Sequence, residues 1–116
     1  MAFKTWASGD ILTAADLNGT VMKCQSLYKV VAGQTGYTIT ANTSSTTQSV
    51  SYGVTFSTLI AFIIGGIESN SSIDLVGTLN GAPGLSTASV RIVEKDGNNI
   101  VAGVSGRNIH WIAIGT

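Results

Sequence analysis

Residues 108–115 read Asn-Ile-His-Trp-Ile-Ala-Ile-Gly, a run that is apolar on both faces of an extended strand. Side chains alternate faces along a strand, so Ile109, Trp111 and Ala113 point one way while His110, Ile112 and Ile114 point the other. Only His110 is polar. In a sandwich of two sheets each sheet turns one face to water, so a strand with two apolar faces needs a second cover, usually another subunit. The same double-sided pattern recurs in Leu59-Ile60-Ala61-Phe62-Ile63-Ile64-Gly65-Gly66-Ile67, the expected partner of 108–115 at the centre of the fold. An oligomer is expected, with Ile109, Trp111 and Ile112 at its interface.

The remaining chain reads as strands and turns. Fourteen glycines, one proline and an abundance of Ser, Thr, Val and Ile favour strands and tight turns over helices. Val50, Tyr52, Val54 and Phe56 alternate with Ser49, Ser51, Gly53 and Thr55, the pattern of a half-buried strand. Residues 27–32 and 36–41 are candidate strands around Gly33-Gln34-Thr35. Residues 42–48 are polar enough for a surface loop or an edge strand. Residues 73–79 alternate weakly, Asn80-Gly81-Ala82-Pro83-Gly84 is a turn, and residues 88–95 and 100–104 are expected to pair across Asp96-Gly97. Seven or eight short strands imply a mainly β protein, an antiparallel β-sandwich or barrel, over residues 27–116.

Residues 1–26 form a separate arm. Phe3 and Trp6 are large apolar groups at a terminus that would normally fray, so they are expected to dock on another protein, together with Leu12. Thr13-Ala14-Ala15-Asp16 has the form of a helix start. Leu17, Val21, Cys24, Tyr28 and Val31 follow at 4-3-4-3 spacing, the seam of a short coiled coil, which puts Leu17 and Val21 at an oligomer interface. Asn18-Gly19 opposes the helix, because glycine costs about 1 kcal/mol within one and Asn-Gly is also a hairpin turn. A short helix and an extended arm both remain open.

Six basic and six acidic residues cancel, and charged residues are 10% of the chain against about 25% in an average globular protein. Nothing here favours nucleic acid, and no run approaches the ~20 apolar residues of a membrane span. One cysteine and one histidine are too few for a disulfide framework or a Cys/His zinc cluster. Residues 1–4 lack the apolar run of a signal peptide, so synthesis in a bacterial cytoplasm is expected. Gly103-Val104-Ser105-Gly106 lacks the second glycine of a nucleophile elbow, since Arg107 stands there. Glu68 and Asp74 read as solvated loop acids, and His110 as a partly buried structural histidine or one hydrogen-bonded across a subunit interface. No catalytic, cofactor-binding or metal-binding residue is expected, and the chain is not expected to be an enzyme. Lys95, Asp96, Asn98 and Asn99, at a hairpin tip, are suited to hydrogen-bond a glycan surface.

Two segments carry a family likeness. Trp6-Ala7-Ser8-Gly9-Asp10-Ile11-Leu12-Thr13-Ala14-Ala15-Asp16-Leu17-Asn18 resembles the segment at the start of many bacteriophage tail-fibre and appendage proteins. Gly53-Val54-Thr55-Phe56-Ser57, the apolar strand through Ile67 and His110-Trp111-Ile112-Ala113-Ile114-Gly115 together resemble the H-type lectin domain. The first resemblance implies a virion structural protein that meets other virion proteins through its arm. The second implies a trimeric antiparallel sandwich and, in the family's sugar-binding members, recognition of a host glycan. Those members place an aromatic residue and a histidine in the hairpin before the last strand. Here that hairpin reads Val93-Glu94-Lys95-Asp96-Gly97-Asn98-Asn99, so the resemblance implies the fold and not the family's sugar site.

Overall fold

The computed structural model describes Ser8, Gly9 and residues 28–116. The expected arm contacts Phe3, Trp6 and Leu12 and the seam residues Leu17 and Val21 lie outside these described residues. Six strands follow one another, β1 (Lys29–Ile39), β2 (Ser45–Ser51), β3 (Leu59–Ile67), β4 (Leu75–Leu79), β5 (Thr87–Glu94) and β6 (Val104–Gly115). They form two antiparallel three-stranded sheets, ordered β1-β6-β3 and β2-β5-β4. The expected pairing of 59–67 with 108–115 is present, with β6 in the middle of its sheet. No helix occurs among the described residues.

The core follows from alternation. Along β6, Ile109, Trp111 and Ala113 are buried while Ile112 is exposed. From β1 come Tyr37 and Ile39, from β3 Phe62, and from the facing sheet Val50, Ala88, Val90 and Ile92, all buried. At one end the aromatic rings meet. Tyr52 stacks on Phe62 with centroids 5.7 Å apart, and Phe62 stacks on Trp111 at 6.1 Å. The Trp111 indole N–H donates to the Thr35 hydroxyl at 3.0 Å, which satisfies the one polar atom that this ring brings inside.

Several local expectations change. Residues 27–32 and 36–41 are not separate strands: Gly33, Gln34 and Thr35 continue the ladder opposite Trp111, His110 and Ile109, so β1 runs unbroken. Gly33 is there for space, because a Cβ on it would lie 2.6 Å from Cζ2 of Trp111. The polar run 42–48 supplies the edge strand β2, whose outer side chains face solvent. The strand expected to reach Phe56 stops at Ser51. Gly53, at φ +73°, turns the chain out of the ladder. The amides of Tyr52 and Phe56 then donate to Ser86 O and Leu85 O, and both rings stay buried. Residues 100–104 do not pair with β5. Ile100 instead makes an isolated bridge with Thr43 and buries its side chain.

Candidate functional site

Alternation that buries one face of β1-β6-β3 presents the other, and the register arranges that outer face in rows. Val30, Ile114 and Ala61 lie across the three strands in one row, and Ala32, Ile112 and Ile63 in the next. No side chain in these rows is polar. Val30 is 66% exposed, Ile63 46% and Ile112 36%, and Ile60 beside them is 56% exposed. The third row is Gln34, His110 and Gly66. A shallow depression of about 560 Å³ lies over this part of the sheet, lined by Ala32, Gln34, Gly65, His110 and Ile112 with Gly33 and Trp111. The outer face of the second sheet is different. Thr47, Ser49, Thr78 and Arg91 are exposed there, with Val76 as its one large exposed apolar group.

The apolar rows end against a polar cluster. Glu68 follows β3 directly, where its amide donates to Asn108 O at 2.9 Å and extends the pairing with β6. Its carboxylate is held from two sides. Oε1 lies 3.0 Å from His110 Nε2, and Oε2 accepts from the Asn108 amide at 2.9 Å and from Asn108 Nδ2 at 3.1 Å. The Tyr37 hydroxyl donates to the Glu68 carbonyl. The His110 bond and the Asn108 amide hold the Glu68 carboxyl below the usual carboxylate range, because they stabilise its charged form. Burial pushes the Tyr37 phenol up. Two residues on, Asn70 Oδ1 accepts from Arg107 Nε at 3.3 Å, so the 68–73 loop is latched to β6 twice. Beside the latch runs a groove of about 400 Å³, lined by Gly36, Thr38, Gln48, Arg107 and Asn108 among others.

The expected site residues fall in different places. Ile109 and Trp111, expected at a subunit interface, are instead in the core of a single chain, 0% and 5% exposed. Ile112 does face outward. Lys95 lies 3.7 Å from Asp74, with both side chains well exposed. The amides of Asp96 and Asn98 donate to Glu94 Oε2 at 2.9 and 2.7 Å, so Glu94 shapes the turn that carries them. Asn98 and Asn99 help to line a groove of about 230 Å³ with Ser72, Ile73, Ile100, Val101 and Ala102. The reading of Glu68 as a solvated loop acid is corrected by the three hydrogen bonds that hold its carboxylate, one from His110 and two from Asn108. Sequence reasoning missed this cluster because Glu68 and His110 stand 42 residues apart, and only the β3–β6 register brings them together.

No protein-family model matches the chain, and a search of curated proteins gives no match. Among solved structures, the tailspike protein gp49 from Pseudomonas phage LKA1 is similar, with a TM-score of 0.62 and 21% sequence identity. The likeness covers 75% of this chain and 15% of that one, so the chain spans about a seventh of the tailspike's length. It is a likeness of fold.

Proposed function

We propose that the chain is a structural component of a phage virion, a short homotrimeric fibre or appendage anchored by its N-terminal arm. The observation that carries this reading is the asymmetry between the two outer faces: one sheet shows water a polar surface, and the other shows two full rows of apolar side chains. Such a patch on a small domain marks an interaction surface. Around a threefold axis, three copies of β1-β6-β3 cover one another through Val30, Ile63 and Ile112. Of the seam read from Leu17, Val21, Cys24, Tyr28 and Val31, the last residue lies in β1 and packs against the core, so a coiled coil of the arm would have to end before Lys29. The arm's resemblance to tail-fibre and appendage proteins supports assembly on a virion, and the fold it shares with part of a phage tailspike agrees with that setting. Assembly is the mechanism, with no catalysis and no cofactor.

Deleting residues 1–10 tests the anchor. The truncated protein is expected to stay folded and oligomeric and to be missing from virions assembled in a complementation assay; normal incorporation overturns the role of Phe3 and Trp6. The groove beside Asn98 and Asn99 favours a second reading, host-glycan recognition. Binding of the protein to host cells that free sugars abolish, and that Asn98→Ala weakens, supports it.

A further inference from the structure

The apolar rows are continuous with the chain's single histidine. His110 lies on the same face as Ile112, two residues along β6 and so roughly 7 Å away. It is half exposed, as is Glu68 beside it. The pair therefore borders the face that the proposed oligomer would cover. We infer that the Glu68–His110 pair makes self-association through the outer face of β1-β6-β3 pH-dependent, tightening it as histidine takes up its proton. This inference rests on the proposed oligomer.

The argument is one of charge. With a neutral imidazole donating to the carboxylate, the pair carries one negative charge. Covering it costs desolvation, and symmetry brings identical carboxylates toward one another. With a protonated imidazole the pair is neutral as a whole and its two charges satisfy each other across 3.0 Å. Among the described residues, the groups around the pair are these. From the loop after β3 come Glu68 and the neutral Asn70; β6 adds Asn108 and Arg107, whose Nε donates to Asn70. From β1 come neutral Gln34, in register with His110, and the Tyr37 phenol, whose hydroxyl donates to the Glu68 carbonyl; β3 contributes only Gly66 across the register. Histidine is the side-chain type whose charge ordinarily changes between about pH 5 and 8, and no second histidine stands in the chain. Two hydrogen bonds from Asn108 fix the carboxylate, so it is in place whatever the state of the ring.

Sedimentation equilibrium of the full chain at pH 5.5, 7.0 and 8.5, with the variants His110→Gln, Glu68→Gln and Ile63→Lys, tests this. Uptake of one proton per protomer shifts association about tenfold per pH unit per protomer while the ring titrates. The wild type is expected to dissociate at least ~10-fold more readily at pH 8.5 than at 5.5. His110→Gln keeps an uncharged donor and should associate with that dependence removed, which also subtracts the α-amino group. Glu68→Gln leaves a protonated ring without its counter-charge, so its dependence should reverse, weakest at low pH. A wild-type oligomer indifferent to pH, or a His110→Gln variant that keeps the dependence, overturns the inference and leaves the oligomer standing. Wild-type-like association of Ile63→Lys overturns the choice of face, and the inference with it.

Discussion

Gly33 shows how much of this fold turns on single positions. It is the floor on which the Trp111 ring lies, and that ring stacks on Phe62 and closes one end of the core. Gly33→Val forces the indole off its place, and overpacking of this kind costs about 1–3 kcal/mol. Urea unfolding should show a stability lowered by that amount, read as a lower midpoint at an unchanged m-value. Glu68 sets a different test. A carboxyl whose folded pKa is depressed stabilises the protein above its unfolded value of about 4.5, and this contribution fades as the pH falls through the folded value. Glu68→Gln should therefore melt below the wild type at pH 7, and the two melting curves should converge as the pH falls toward 2. A gap that stays constant across that range would mean that the charge of Glu68 does not contribute.

At the scale of the element, the two sheets are built on one alternating plan with different outer residues. β2 and β5 place Thr47, Ser49 and Arg91 outside, whereas β6 and β3 place Ile112 and Ile63 there. A lysine at an exposed position with no buried partners changes stability by at most about 0.5 kcal/mol. Thr47→Lys should then melt near the wild type, while Ile63→Lys lowers the mass found by light scattering and, through the lost association, the melting temperature as well. Equal masses for the two variants would put the contact elsewhere. The bulges of β3 at Leu59/Ala61 and Ile64/Gly66 belong to this scale as well. They bend an edge strand and discourage the open-ended pairing that a flat apolar edge invites.

For the molecule as a whole, every core side chain named above among the described residues comes from residues 37–113. A chain of residues 28–116 should fold with the β-sheet circular dichroism of the full protein; a disordered spectrum would make the arm part of the fold. The sequence by itself determined the β class, the double-sided character of 59–67 and 108–115 and their pairing, and a turn near Asp96-Gly97, though not the strand that pairs beyond it. These are local properties: alternation has a period of two residues, and turn chemistry resides in two to four. Tertiary structure alone decided which of the two apolar faces of β6 became core, and it chose the one with Ile109 and Trp111 because Gly33 leaves room for the indole there. It also decided that β1 would run through Gly33-Gln34-Thr35, that Ile100 would bridge to Thr43, and that Glu68 would meet His110. Each of these depends on which residues lie opposite one another across an antiparallel pair. That register is settled by the packing of the whole core, and no short stretch of the chain contains it.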